Sequence, residues 1–411
     1  MTAVQPASLD PDNDRAEDGP PPPLRPSADR YADSSGTAAV FPEVRRIAVL
    51  RAGRLGDLVL ALPAVRSLAA AYPDAEVTVL GAAPAELLRD RPGAPHHVVV
   101  LPPVPGVGVE PDVAVDDAAV DRAVHRLRAE RFDLAVQLHG GGLHSNPFLL
   151  RLGAAHTVGS GTPDAPPLER QLDYTAHQHE LLRALEVVAL AGAAPVTLTP
   201  TVPVLPRDEA EAGTTLVRHG IRDADRLVVV HPGATDPRRR WPAERFADVT
   251  RRLLQDTDAR VLLVGGSGEV ELCDRIVALA GTGAGAVAAT RVSSAAGRLS
   301  LSGLVGTLAR ADVVLADDSG PRHLAEAVGT PTVSVYWFGN LITAGPLLRA
   351  RHRVHVSWTA RCPVCGTDCT ASGPGAVRCP HEVSFVADVE VEPVLDDVTA
   401  LLGAGSGGAG P

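Results

Sequence analysis

Three stretches carry residues whose types and spacing suit chemistry on a phosphorylated ligand. In "LADDSGPRHL" a hydrophobic run ends in Asp317 and Asp318, Ser319 and Gly320 turn the chain, and Pro321 opens a helix. Proline suits a first helical position because the N–H it lacks had no partner there. The N–H groups exposed at such a start, with the helix dipole behind them, form an anion site suited to a pyrophosphate. His323 falls one turn in, where it can donate to a phosphate oxygen. Asp318 is placed to accept backbone N–H bonds or to hold a nucleotide hydroxyl. The plainer reading is a Ser-Gly-Pro helix cap with a surface histidine. In "VVVHPGATDPRRRWPAERF" a strand ends in His231-Pro232-Gly233-Ala234-Thr235, small residues that let a ligand reach the backbone. Arg238, Arg239 and Arg240 come next, before a helix opened by Trp241-Pro242. Arginine's planar fork suits phosphate. Positive charge beside a helix start is unfavourable without an anion, so the run reads as functional rather than as a solvated charge run. The third stretch, "VLLVGGSGEVELC", sets Glu269 at a helix start behind three glycines, suited to a ribose diol. Glycines at such a turn also have a purely conformational explanation.

Near the other end, "RIAVLRAGRLGD" runs a strand into a turn with Gly53 and Gly56 and closes on the carboxylate of Asp57. A carboxylate repels phosphate but suits removal of a proton from a hydroxyl. Neither glycine turn shows G-x-G-x-x-G with an acidic residue about 20 positions on, which argues against a dinucleotide oxidoreductase. A last group, Cys362, Cys365, Cys369 and Cys379 with His381 two residues on, lies beyond the last clear strand. Four cysteines and a histidine suit a tetrahedral structural zinc. Free thiols or a redox-dependent pair are the other readings, and CxxxC is irregular metal spacing. Cys273 reads as a buried core cysteine.

The elements that must position these residues are legible as β-branched runs alternating with amphipathic stretches, the pattern of parallel α/β sheets. Strands are expected at 46–50, 76–80, 96–101 and 133–138, then at 226–231, 260–264, 312–316 and 332–336, with a long helix near 177–192. The proline-punctuated "TPTVPVLPRDE" between the two sets reads as a linker. Residues 1–42, rich in Pro, Asp and Ser, read as a disordered tail, as do 403–411. This pattern gives two Rossmann-like halves, 43–205 and 206–402, with the cysteine cluster at 362–381 in the second and ligands in the cleft between them. The 411-residue chain is long enough for two cores. It holds no lysine, so all 38 basic residues are arginine and any functional lysine has to appear as arginine. Net charge is −11, with no basic and aromatic interleaving, which excludes a nucleic-acid partner. The acidic N-terminus has no apolar core of a secretory signal, and no apolar run is long enough to span a bilayer. A cytoplasmic protein is expected, with work at the inner face of the cell membrane left open.

Together these stretches resemble glycosyltransferase family 9, the ADP-heptose:lipopolysaccharide heptosyltransferases, over roughly 43–400. The most specific match is D-[ST]-G-x-x-H, met by Asp318-Ser319-Gly320-Pro321-Arg322-His323. The family's G-D-x-x-x-x-x-P is met by Gly56, Asp57 and Pro63, and "DLAVQLHGGGLHSNPFLLRLGA" (133–154) resembles its D-L-x-x-x-L-x-G segment. The resemblance implies a GT-B fold, an inverting transfer from a nucleotide-sugar and no metal required for catalysis. It implies Asp57 as general base, with Thr235, Arg239, Ser319, Gly320 and His323 gripping the pyrophosphate and Glu269 on the ribose. Arg239 stands where the family typically has lysine. "DTD" at 256–258 and "DAD" at 223–225 read as polar ends rather than the Asp-x-Asp of metal-dependent transfer. The expected partners are a nucleotide-sugar donor and a glycan, lipid-linked or small-molecule acceptor. The alternatives are another nucleotide-sugar with a cell-wall or secondary-metabolite acceptor, or a non-catalytic nucleotide-binding protein.

Overall fold

The computed structural model describes residues 38–370 and 379–404. Its frame is two six-stranded parallel sheets. The first runs β3-β2-β1-β6-β7-β8, with β1 Arg46–Leu50, β2 Glu76–Gly81, β3 His97–Val100, β6 Leu134–Gln137, β7 His156–Gly161 and β8 Arg170–Asp173. A separate two-residue pairing joins β4 (Val104–Pro105) to β5 (Gly108–Val109). The second sheet runs β11-β10-β9-β12-β13-β14, with β9 Leu227–His231, β10 Arg260–Leu263, β11 Val292–Ser294, β12 Val313–Asp317, β13 Thr332–Trp337 and β14 His352–Ser357. Helices α1 (Leu55–Ala71), α2 (Asp117–Ala129), α3 (Ser145–Leu150) and α4 (Glu180–Ala189) serve the first sheet. Around the second lie α5 (Pro206–Arg218), α6 (Ala243–Asp256), α7 (Val270–Gly281), α8 (Ala286–Ala289), α9 (Leu301–Arg310), α10 (Gly320–Ala327), α11 (Phe338–Ala344) and α12 (Val391–Ala404).

All eight expected strands are present, within one or two residues of their expected ends. Their centres are near-continuous Val, Ile, Leu and Ala because helices cover both faces of a parallel sheet. In each sheet the order reverses beside its first strand, β1 next to β6 and β9 next to β12. Such switch points open crevices at the carboxyl ends of the strands, where ligands of this architecture bind.

The bounds of both expected tails and the expectation of separate cores need correction. Residues 38–42, assigned to the tail, pack: the Ala38 N–H donates to Ala189 O at 3.0 Å, and Phe41 is buried, stacked on His156 beneath Arg170. Residues 38–42 read Ala-Ala-Val-Phe-Pro and are themselves apolar, and the Phe41 N–H donates to Tyr72 Oη at 3.1 Å. The rest of that expected tail, 1–37, lies outside the described residues, as do 405–411, while Gly403 and Ala404 close α12. The stretch read as a linker carries no regular element until Pro206 opens α5, and its Val202 N–H donates to Ala327 O at 2.8 Å. The two sheets share a continuous apolar core in which Leu58 and Leu62 of α1 join Leu324 and Ala325 of α10.

Candidate functional site

The two switch points face each other across one cleft of about 620 Å³, within the range of small-molecule sites. Nine of the expected site residues line it: Gly56, Asp57, Thr235, Arg239, Glu269, Asp318, Ser319, Gly320 and His323. They come from four strand ends spread over 268 positions of sequence, brought together because β1 and β9 end at the same cleft as β12.

On the first wall, Asp57 sits in the opening turn of α1. Its Oδ2 accepts the Arg54 N–H at 2.9 Å, a cap on its own helix. Its Oδ1 accepts from Arg51 Nη2 at 3.1 Å, and that same nitrogen donates to Glu180 Oε2 at 3.1 Å. Arg51 also donates to the carbonyls of Asp57 and Leu138, so its guanidinium is fixed behind the carboxylate. Asp57 itself remains accessible, its side chain 41% exposed. Burial and the Arg51 charge hold the nearby His139 imidazole down at about 4, neutral at physiological pH. Gly53 does not line the cleft. It lies behind Asp57, where a Cβ would stand 2.6 Å from Asp57 Oδ2.

On the facing wall, β12 delivers two adjacent carboxylates with different tasks. Asp317 is fully buried and accepts the Trp241 N–H at 3.1 Å, tying the arginine loop to the sheet; burial, with Asp318 beside it, pushes its carboxyl well above the usual range. Asp318 binds Arg239 Nη1 at 2.9 Å and stands 3.4 Å from His323 Nε2. Burial would raise its pKa, but His323 and the Arg239 and Arg322 charges outweigh that and hold it low. Of the roles expected for Asp318, the backbone contact falls to its neighbour, since Asp317 accepts the Trp241 N–H of the arginine loop, while Asp318 pairs with side chains. His323 is buried rather than a surface residue. Arg322 donates to His323 Nδ1, which leaves Nε2 as the ring's N–H, and burial with the Arg322 charge keeps the ring neutral. Ser319 does not cap α10; its Oγ lies 3.0 Å from His231 Nδ1. His231 Nε2 is 3.4 Å from Glu269 Oε2, and the Gly266 N–H donates to that oxygen at 2.7 Å. Glu269 Oε1 packs against Gly233 where a Cβ would stand, so a side chain there would push the glutamate from its place. Thr235 is exposed at the rim of this wall.

Sequence reasoning missed Arg51, Glu180 and His231. The only signal for His231 was a polar residue ending an apolar strand, and Glu180 lies 129 positions from Arg51. The expected four-cysteine metal set is also corrected. Ligand atoms of Cys362, Cys365, Cys379 and His381 all lie within 4.8 Å of one another and fit a metal ion. Cys369 Sγ instead lies 3.3 Å from Thr367 O, and the imidazole takes its place. None of the four lines the cleft. Cys273 is buried in the core of the second sheet, as expected.

A model of glycosyltransferase family 9 (heptosyltransferase) matches residues 120–363, more than half of the chain. Lipopolysaccharide heptosyltransferase 2 of Escherichia coli K12 is 23% identical over 300 residues, covering 71% of this chain and 82% of that one. The solved family 9 glycosyl transferase of Veillonella parvula superposes with a TM-score of 0.70 at 19% identity, over 90% of this chain and 99% of that one. The E. coli ADP-heptose lps heptosyltransferase II superposes with a TM-score of 0.67 at 20% identity, over 88% and 99%. The fold is of the GT-B type, two Rossmann-like halves facing each other across a cleft.

Proposed function

Since the chain belongs to glycosyltransferase family 9, we propose that it moves a heptose or a related sugar from an ADP-activated donor to a hydroxyl of a glycan or lipid-linked acceptor, with inversion. One observation carries this reading. Asp57 on one wall of the cleft faces a group built for an anion on the other, made of Arg239, His323 and the start of α10, which no side chain caps. Donor nucleotide lies along the second wall. Arg239, Thr235, Ser319, Gly320 and the Nε2–H of His323 hold the pyrophosphate, and Glu269, aligned by His231, takes the ribose hydroxyls. Asp318 positions Arg239 and His323 rather than touching the nucleotide.

In the transfer, the acceptor hydroxyl loses its proton to Asp57 as its oxygen attacks the anomeric carbon. The bond from that carbon to the phosphate oxygen breaks on the opposite face, and the charge left on ADP is stabilised by donors already in place. A single displacement inverts the anomeric centre. Arg51 and the Arg54 N–H bind one Asp57 oxygen each and hold the carboxylate turned to the acceptor. Arginine in the lysine position keeps the charge with a forked, bidentate geometry.

A lipid-linked acceptor places the work at the inner face of the cell membrane; among the described residues no helix is long and apolar enough to cross one. Adenine nucleotides and a lipopolysaccharide acceptor are supported by the names of the E. coli relatives. Calorimetric titration with ADP, UDP, GDP and NAD tests the donor side. ADP is expected to bind tightest; preference for UDP or GDP moves the donor to another nucleotide-sugar, and binding of NAD alone contradicts the reading.

A further inference from the structure

We infer that the segment 379–389 is a metal-held brace for the arginine loop, so that metal at Cys362, Cys365, Cys379 and His381 sets nucleotide affinity from outside the cleft. The inference rests on the proposed donor role of Arg239 and its loop.

In a tetrahedral site with metal–sulfur bonds near 2.3 Å and metal–nitrogen near 2.0 Å, neighbouring ligand atoms stand about 3.5–3.8 Å apart. Here Cys365 Sγ and Cys379 Sγ are 3.5 Å apart, Cys379 Sγ and His381 Nδ1 3.3 Å, and Cys362 Sγ and His381 Nδ1 3.8 Å. The Val364 N–H points at Cys362 Sγ and the His381 N–H at Cys379 Sγ, each at 3.4 Å. Such bonds favour thiolate over thiol, and a metal ligand has to be thiolate. All five cysteines are free, so no disulfide competes for these sulfurs.

Residues 384–389, just beyond the last ligand, tie the cluster to the donor wall. The Ser384 hydroxyl donates to Arg240 O at 2.6 Å, and the Phe385 N–H donates to Arg238 O at 2.7 Å. Arg238 lies over the Phe385 ring at 5.7 Å, and Trp241 Nε1–H donates to Val389 O at 3.0 Å. The loop bearing Arg239 is thus held by Asp317 and Asp318 from the sheet side and by 384–389 from the other. Phe385 packs with Cys362 and Cys379 in a small apolar cluster. No regular strand or helix lies between Ser357 and Val391 among the described residues. Val386 and Val389 enter the core of the second sheet, whereas the stretch before them has only this small cluster, and a metal would supply the cross-link that fixes it against them.

Metal analysis and nucleotide binding on the full chain test this. The protein as purified is expected to hold about one zinc or iron per chain, the element being read directly by mass spectrometry. Chelation should weaken ADP binding about tenfold, the loss of one or two loop contacts, and adding back the same metal should restore it. Ser384→Ala leaves every ligand in place and should keep the metal while weakening ADP several-fold. Amide exchange of peptide 236–241 should quicken on chelation and in Ser384→Ala, a readout that does not depend on ADP. The inference is overturned if zinc or iron salt alone fails to bind. It is equally overturned if metal-free protein keeps both its ADP affinity and its exchange rates, or if Ser384→Ala changes neither. Failure of every form to bind ADP, with exchange still metal-dependent, would strike the donor assignment and leave the brace standing.

Discussion

Asp57 and Ser319 occupy matching places at the starts of α1 and α10 and do opposite things there. Asp57 turns one oxygen back onto the Arg54 N–H and supplies its helix with the negative charge the dipole favours. An anion has no room left at that end. Ser319 turns away to His231 and leaves α10 without a side-chain cap, which suits a pyrophosphate. The neighbours Asp317 and Asp318 diverge as sharply, because one meets a backbone N–H in a dry core and the other meets arginine and histidine. A carboxyl whose folded pKa lies above its unfolded value keeps its proton longer in the folded state. The folded protein then binds more protons, and stability falls as pH rises from about 4 toward the raised folded value. Asp317→Asn keeps an acceptor for the Trp241 N–H and removes that titration. Thermal melts from pH 5 to 8 should therefore show the variant gaining on the parent as pH rises (a range set roughly by the window above). Parallel curves would contradict a buried, high-pKa Asp317.

At the scale of elements, the cleft depends on how closely α1 and α10 approach. A Cβ on Gly56 would stand 2.8 Å from His323 Cδ2, and one on Gly320 would stand 3.0 Å from Leu55 Cβ. Both glycines belong to the sequence pattern, and the structure gives the reason as contact between the halves. Gly56→Ala is expected to cost about 1–3 kcal/mol by overpacking, read from urea unfolding, and to weaken ADP binding by displacing His323. An unchanged affinity would mean the helices part freely. Legibility in the sequence also divides along elements. Central strands announce themselves because burial on both faces demands unbroken β-branched runs. Strands β7, β8, β11 and β14 escaped notice because "HTVGSG", "RQLD", "VSS" and "HRVHVS" lie toward the sheet margins and mix polar residues in. Site residues at strand ends, His231 excepted, were legible since each motif is local. Arg51, Glu180 and the exchange of Cys369 for His381 were not, because pairing between segments decides them.

For the molecule as a whole, the halves are joined by more than a linker. Arg91, after β2, pairs with Asp208 of α5 at 2.7 Å, both side chains buried, and Ser302 of α9 also binds that carboxylate. Burial raises the Asp208 pKa, but Arg91, Ser302 and the Leu205 N–H outweigh it and hold it low. The pair therefore contributes its stability above the ordinary carboxylate range and loses it as pH falls through the depressed value. Asp208→Ala strands a buried guanidinium and should cost about 3–5 kcal/mol in chemical denaturation; a cost under about 1 kcal/mol, the level of an exposed pair, would show that water reaches Arg91. This joint keeps the two walls of the cleft in register, and the transfer proposed above rests on a division of labour between them: nucleotide on the second wall, proton removal on the first. Asp57→Asn separates the two most directly. Measured on one preparation with an ADP-sugar donor and its acceptor, the variant should bind ADP as the parent does while its single-turnover transfer falls about 100-fold or more. Transfer near the parental rate, or loss of ADP binding together with transfer, would contradict that division.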